Sequence, residues 1–171
     1  MRNARLRQVE VTRPDPSGTD PAAILAIDRA CFAQGTINVG AELERPWSQV
    51  WVARETGETS EPRAFLLAWL VVDELHILSV ATLPDFRRRG MARALLERAI
   101  AFGRDKGARS ILLEVRRSNA VAIQLYRSFG FWTAGVRPRY YADNLEDAVE
   151  MTALLDPTTG AILPGKDEVT I

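Results

Sequence analysis

The chain has 171 residues, enough for one domain with a substantial hydrophobic core. Its 22 basic residues balance its 22 acidic residues, so no overall charge favours nucleic acid or an anionic membrane as a partner. The one cysteine, Cys31, excludes an intrachain disulfide and a cysteine-rich metal site, and we expect no metal. Residues 1–8 lack the apolar run of a signal peptide, and no apolar stretch is long enough to span a membrane. We therefore expect a cytoplasmic protein.

The first half of the chain predicts one strand, two helices and three further strands. Residues 7–12 alternate as in a strand. Asp20 followed by Pro21 predicts a helix start, because aspartate is a good N-cap and proline suits the first helical position. A short helix is predicted at residues 39–44, ending before Pro46. Residues 49–54, 63–72 and 75–82 are the strand candidates, joined by short connections.

The second half predicts two helices between strands. Residues 90–106 have strong helical periodicity, and Gly107 is a typical helix terminator. Residues 110–115 are almost continuously apolar, which indicates a strand buried on both faces. Ser118 is the predicted cap of a helix at residues 119–129. Strands at 132–137 and 147–155 enclose a loop with Tyr140 and Tyr141. We expect a single domain over residues 1–155 and a tail over residues 156–171.

A basic turn stands between the strand at 75–82 and the helix at 90–106. Residues 87–92 read Arg-Arg-Arg-Gly-Met-Ala. The unpaired N–H groups and the dipole of a helix N-terminus favour a pyrophosphate, and Gly90 would let the backbone come close to it. Ala92 adds little bulk, and the arginines add positive charge. The alternative explanation is a solvated basic run, but neither a P-loop nor a Rossmann fingerprint is present.

Two motifs resemble one known family. The pattern Arg-x-x-Gly-x-Ala, beginning at Arg87, resembles the coenzyme A-binding signature of GNAT acetyltransferases. Residues 113–131, which read LEVRRSNAVAIQLYRSFGF, resemble RimI-type ribosomal-protein alanine N-acetyltransferases. The resemblance implies an α/β fold with a mixed, twisted sheet of about seven strands and helices on both faces. It also implies acetyl-CoA as cosubstrate and the N-terminus of a protein, with a ribosomal protein as one candidate, as acceptor.

The resemblance implies a role for each matched residue. Glu114 would be the base, acting through a water, and Tyr126 the acid that protonates the coenzyme A sulfur. Tyr140 and Tyr141 would contact the acceptor peptide. Backbone pairing with the pantetheine arm would fall to Val80, Ala81 and Thr82. The remaining cofactor-binding residues would be Arg88, Arg89, Gly90, Met91, Ala92, Arg93 and Asn119.

The residues themselves support some of these roles and leave others open. Glu114 is predicted to lie in apolar surroundings near a strand end, where a carboxylate can serve as a base. Packing alone could explain Tyr126 and the tyrosine pair. His76 is a weaker candidate for the base, and Cys31 is a weaker one for a nucleophile. Residues 33–37 replace the Pro-Trp-Ser segment of the family, so acceptor specificity stays open.

Alternative functions are a GNAT enzyme that acetylates lysine side chains or a small amine, and a coenzyme A-binding sensor without turnover. Freeing an α-amine near pH 7 costs roughly 1 kcal/mol, against about 4–5 kcal/mol for a lysine amine. This difference favours the α-amine, because one carboxylate base suffices for it. Retention of both Glu114 and Tyr126 argues against the sensor. The sequence does not predict the oligomeric state.

Overall fold

The computed structural model describes residues 8–32, 37–56 and 61–171. Within these ranges the strands are β1 (Val9–Thr12), β2 (Ser48–Glu55), β3 (Ala64–Val71), β4 (Glu74–Thr82), β5 (Ser110–Arg116), β6 (Trp132–Tyr141) and β7 (Glu146–Leu154). The α-helices are α1 (Asp20–Cys31), α2 (Val39–Glu44), α3 (Met91–Asp105) and α4 (Ala120–Arg127). A single 3₁₀ turn, Pro84–Phe86, precedes α3. Residues 33–36, most of the segment predicted to depart from the family, lie outside the described ranges.

The strands form one seven-stranded sheet in the order β1-β2-β3-β4-β5-β7-β6. Strands β4 and β5 are parallel, with a register that runs from Glu74 opposite Ser110 to Ile77 opposite Leu113. The pairs β1–β2, β5–β7 and β6–β7 are antiparallel. This arrangement confirms the predicted α/β fold with a mixed sheet of about seven strands.

The chain divides into two compact units. The first contains the described residues up to Ala68 together with Ser79–Ala99, and the second contains Trp69–Leu78 together with Ile100–Ile171. Apolar side chains at 0–1% exposure form the core of the first unit: Ile24, Ile27, Trp51, Val52, Phe65, Leu66, Met91, Leu95 and Leu96. The core of the second unit includes Leu75, Ile111, Leu113, Val149, Met151 and Ala153.

The starts of two helices differ from the prediction by one residue. Asp20 is the first residue of α1 rather than its cap, because its carboxylate accepts a hydrogen bond from the Asp15 N–H (2.8 Å) and pairs with Arg54. At α4 the cap is Asn119 rather than Ser118, and Asn119 Oδ1 accepts from the Ala122 N–H at 3.2 Å. Helix α2 has the predicted bounds.

The hairpin of β6 and β7 is longer than predicted. Tyr140 and Tyr141 are the last residues of β6 rather than a loop, because Tyr141 pairs with Glu146 at the start of β7. The register shifts between Arg137 and Tyr141, and Arg139 within this stretch has a left-handed φ of 55°. Such irregularities change the direction of side chains at the end of a strand.

The chain beyond Leu155 belongs to the second unit and is bonded to β6. Asp167 Oδ1 accepts from the Thr133 N–H and the Glu168 N–H donates to the Thr133 carbonyl, both at 2.8 Å. Thr133 lies on β6, the last strand in the sheet order, so these bonds occupy an edge that would otherwise face solvent. The domain boundary at residue 155 stays a prediction.

Candidate functional site

The turn before α3, in the first unit, has the backbone of an anion site. Arg88 and Gly90 both have left-handed φ angles, 62° and 84°, and α3 begins directly afterwards at Met91. A Cβ built on Gly90 would have no atom within 4 Å, so the space beside this backbone is open. The Ala94 N–H donates to the Gly90 carbonyl at 2.9 Å, which marks the first turn of the helix, the place where backbone N–H groups of an α-helix are available to an anion.

The arginines of this turn are in different settings. Arg88 is exposed, whereas Arg89 donates from Nη1 to Glu55 Oε1 and from Nη2 to the Asp85 carbonyl, each at 2.8 Å. The Arg89 guanidinium also lies 4.8 Å from the ring centre of Phe86. These contacts connect the turn to the end of β2 and hold its shape.

The three residues predicted to pair with pantetheine form the end of β4 and belong to the same unit as the turn. Val80 and Thr82 are half-buried, and Ala81 is buried. The Thr82 carbonyl accepts from Arg87 Nε at 3.3 Å and from Cys31 Sγ at 3.4 Å. This carbonyl is therefore already occupied by two donors from the protein.

Glu114, in the second unit, is not the isolated apolar carboxylate that the sequence predicts. Its side chain is 31% exposed, and Oε1 lies 3.3 Å from Nη1 of Arg137. Strand order brings Glu114 and Arg137 together, because β7 lies between β5, which carries Glu114, and β6, which carries Arg137. On β7 the residue opposite Glu114 is Glu150. Glu114 is thus a half-buried carboxylate in an ion pair.

Glu150 is a second acidic residue at this place, and sequence reasoning missed it. Its Oε1 accepts from Arg137 Nε at 2.6 Å, so one guanidinium contacts both carboxylates. Hydrogen bonding and the charge of Glu150, and then the charge of Glu114, raise the pKa of Arg137. No motif marks Glu150, and only the register of β5, β6 and β7 could have indicated it.

Tyr126 of α4 is buried, with 7% of its surface exposed, and its ring is tilted against Phe131 at 5.9 Å between centroids. Burial raises the pKa of Tyr126 above that of a free tyrosine, and its interaction with Tyr141 raises it further. The phenol consequently stays protonated at neutral pH. It can donate a proton or a hydrogen bond, and it cannot act as a base.

The two tyrosines at the end of β6 lie beside charged groups. Their rings meet edge to face at 5.2 Å. Arg116 lies 3.9 Å from the ring centre of Tyr141, and Arg137 lies 5.5 Å from that of Tyr140. Burial raises the pKa of Tyr141 to about 12, although the nearby Arg116 opposes the shift. This surface therefore combines aromatic faces with the Glu114–Arg137–Glu150 cluster.

The loop before α4 is held by an acidic side chain. The Ser118 N–H donates to Glu146 Oε1 at 2.7 Å, and hydrogen bonding by Ser118 lowers the pKa of Glu146 to about 2. Asn119, predicted to contact the cofactor, uses its side-chain oxygen to cap α4. Its side-chain amide N–H₂ is the group left for a ligand.

The weaker candidates each have a partner within the protein. His76 Nε2 lies 2.9 Å from Glu74 Oε2 near the start of β4, and the Cys31 thiol donates to a backbone carbonyl. In the described ranges, no cluster of three or more His, Cys, Asp or Glu side chains could hold a metal ion. No helix in those ranges is long and apolar enough to cross a membrane.

Known proteins similar to this chain agree with one another. Residues 14–131 match the model of the acetyltransferase (GNAT) family. The [ribosomal protein bS18]-alanine N-acetyltransferase of Escherichia coli K12 is 39% identical over 117 residues, covering 62% of this chain and 79% of that protein. The corresponding Salmonella typhimurium protein is 41% identical over 117 residues, which cover 62% of this chain and 79% of that protein.

The fold comparison leads to the same family. The crystal structure of the E. coli ribosomal-protein-S18-alanine N-acetyltransferase superposes with a TM-score of 0.75 and 29% identity, covering 96% of this chain and 99% of that one. The family match covers the basic turn, Glu114 and Tyr126. The chain therefore belongs to the GNAT acetyltransferase family.

Proposed function

We propose that this acetyltransferase transfers the acetyl group of acetyl-CoA to the α-amino group of a protein N-terminus. The observation that carries the proposal is the 39% identity to an E. coli enzyme named for acetylating an alanine of ribosomal protein bS18. A ribosomal protein is accordingly the first acceptor to test. The acidic and aromatic cluster at the end of β6 supports an amine as acceptor, because carboxylates and aromatic faces both attract cations.

GNAT acetyltransferases use acetyl-CoA, and the turn before α3 suits its pyrophosphate. Open space at Gly90 and the N-terminal N–H groups of Met91, Ala92 and Arg93 would hold the phosphate oxygens. Exposed Arg88 would add charge, and Arg89 would hold the turn in place. The pantetheine arm would pair with backbone groups of Val80 and Ala81 more than with the Thr82 carbonyl, which already has two donors. Asn119 would contact the cosubstrate through its amide N–H₂.

Proton removal from the acceptor falls to Glu114. An α-ammonium must lose one proton before its lone pair attacks the thioester carbon, and Glu114 accepts that proton through a water. Its partial exposure allows the water to reach it. Deprotonating an α-ammonium at pH 7 costs about 1 kcal/mol, which a single carboxylate base can supply. Deprotonating a lysine ammonium at the same pH costs about 4–5 kcal/mol.

Tyr126 serves the leaving group. As the new N–C bond forms and the C–S bond breaks, negative charge develops on the sulfur, and the Tyr126 hydroxyl donates its proton there. The phenol is protonated when the thiolate appears, and because burial raises the pKa of Tyr126, transfer to sulfur is favourable only when the phenol regains a proton. A buried phenolate is unfavourable, so Tyr126 regains a proton from the amine nitrogen as the amide forms. The proton taken by Glu114 is released to solvent, and the products are the N-acetyl peptide, coenzyme A and one proton.

The test is acetyl transfer at pH 7–8 to matched acceptors. One peptide has a free N-terminal alanine and no lysine, a second has a blocked N-terminus and one lysine, and small polyamines complete the panel. We expect clear turnover of the first and poor turnover of the others. Faster acetylation of the lysine peptide or of a polyamine would contradict the proposal and favour that alternative. Binding of acetyl-CoA without turnover of any amine would indicate the sensor.

A further inference from the structure

Two carboxylates share one guanidinium on the second unit. Glu114 of β5 and Glu150 of β7 lie opposite each other in the antiparallel register. Arg137 of β6 contacts both, with Nη1 at 3.3 Å from Glu114 Oε1 and Nε at 2.6 Å from Glu150 Oε1. When both carboxylates are ionised, this triad has one negative charge left after Arg137 is counted. A triad of this composition can accept one further cation.

The backbone beside Glu150 leaves room for its carboxylate. Gly135 of β6 is the residue paired with Glu150, and a Cβ at Gly135 would overlap Glu150 Oε2. The register of β6 shifts between Thr133 and Gly135, which brings a residue without a side chain to this position. The glycine thus allows the carboxylate to lie against the strand, at hydrogen-bonding distance from Arg137.

An aromatic ring lies beside the same triad. The Arg137 guanidinium is 5.5 Å from the ring centre of Tyr140, which itself meets Tyr141 edge to face. Carboxylate oxygens and aromatic faces are the groups that bind a primary ammonium, which has three N–H donors and no acceptor. Arg137, Glu150 and Tyr140 all keep between 35% and 50% of their surface exposed, so an acceptor can reach them.

We infer that Glu150 and Glu114, bridged by Arg137, form the subsite that receives the acceptor as its ammonium form. Glu150 holds the ammonium by a charged hydrogen bond, and Glu114 then removes one N–H proton through water to leave the neutral amine. The inference rests on the proposed function and adds a binding residue to it. It implies that the enzyme selects the charged end of the peptide before any chemistry.

The experiment measures discrimination by charge at the peptide end. Calorimetry on the enzyme–coenzyme A complex at pH 7 compares a peptide beginning with free alanine with its propionyl analogue, which lacks only the amine. We expect wild type to bind the free peptide at least tenfold more tightly, since most α-amines are protonated at this pH. Glu150→Gln should reduce the preference to less than threefold.

A second variant moves the carboxylate without removing it. Gly135→Ala forces the flexible end of Glu150 away, so it should also reduce the preference, and it should add nothing in the Glu150→Gln background. The matched control is Asp73→Asn, which removes the carboxylate of an exposed ion pair with Arg109. Arg109 precedes the first residue of β5, so the preference should be unchanged.

The outcomes separate the two hypotheses. If Glu150→Gln weakens both peptides equally, or leaves the wild-type preference intact, the triad is a structural link between strands and the inference is wrong. Acetylation of the free peptide by wild type is measured in parallel. If wild type acetylates a different amine instead, the proposed function fails, and the same comparison is made with that amine and its neutral analogue.

Discussion

Glu55 should support cosubstrate binding although it lies at the end of β2. Its carboxylate is 4% exposed and accepts from Arg89 Nη1 at 2.8 Å, while Arg89 Nη2 bonds the Asp85 carbonyl. Arg89 precedes Gly90, so the pair holds the turn that we propose binds pyrophosphate. Glu55→Gln keeps the size of the side chain and removes its charge, which isolates the ion pair from packing.

The expected loss in the free energy of unfolding follows from the unequal burial of Glu55 and Arg89. A hydrogen bond to a charged group contributes about 1.5–3 kcal/mol, and a stranded buried charge costs more. In Glu55→Gln, however, the remaining charge is that of Arg89, whose side chain is 41% exposed and can be rehydrated. We therefore expect a loss of about 1–2 kcal/mol, which for this chain length lowers Tm by roughly 2–8 °C.

Affinity for coenzyme A should fall in Glu55→Gln because the turn before α3 becomes less ordered. If binding must restore about 1 kcal/mol of lost order, the dissociation constant rises about fivefold, while kcat at saturating acetyl-CoA stays near wild type. Calorimetry on Glu55→Gln, Arg89→Met and the double variant tests this. A supporting role predicts a loss in both single variants, larger in Arg89→Met because that change leaves the buried Glu55 carboxylate without this partner, and a double variant no worse than Arg89→Met. A large loss in Arg89→Met with none in Glu55→Gln would show that Arg89 binds the phosphates directly and would refute the reasoning.

Three further outcomes are expected. Gly90→Glu should weaken coenzyme A binding at least tenfold in calorimetry, because it places a negative side chain in the open space at a left-handed φ; unchanged affinity in a folded variant would remove this site. Glu114→Gln should lower kcat by roughly 10²–10⁴ with little change in acetyl-CoA affinity; turnover at half the wild-type rate would exclude it as the base. The pKa of Glu146 is lowered to about 2, so its stabilisation is present above pH about 4.5 and disappears as pH falls towards 2. In urea unfolding, Glu146→Gln should thus be less stable than wild type at pH 7, with the difference shrinking at pH 3; an equal difference at both would contradict the pKa shift.

Much of the fold could be predicted from the sequence because its signals are local. The periodicity of residues 90–106 and the glycine after them predict α3, which spans Met91–Asp105. The apolar run at residues 110–115 predicts β5 within one residue. Two of the errors occur where a contact outside the local motif decides the outcome: Asp20 bonds Asp15 and Arg54 instead of capping α1, and Tyr141 pairs with Glu146 to extend β6.

The candidate site divides in the same way. The Arg-x-x-Gly-x-Ala turn and the positions of Glu114 and Tyr126 follow from contiguous motifs, and the family match covers them. Glu150 has no motif around it. It meets Arg137 only because β6 and β7 pair with a register shift, and both meet Glu114 only because β7 lies between β5 and β6.

The sequence alone therefore determined the fold class, the family and the residues of the two motifs. Tertiary structure alone decided which ion pairs form: Arg89 pairs with Glu55, 34 residues away, and Arg137 pairs with Glu114 and Glu150. The physical reason is the distance along the chain over which each feature is determined. Helical periodicity, caps and turns depend on neighbours within a few residues, whereas an ion pair depends on strand order and register, which the packing of the whole sheet sets.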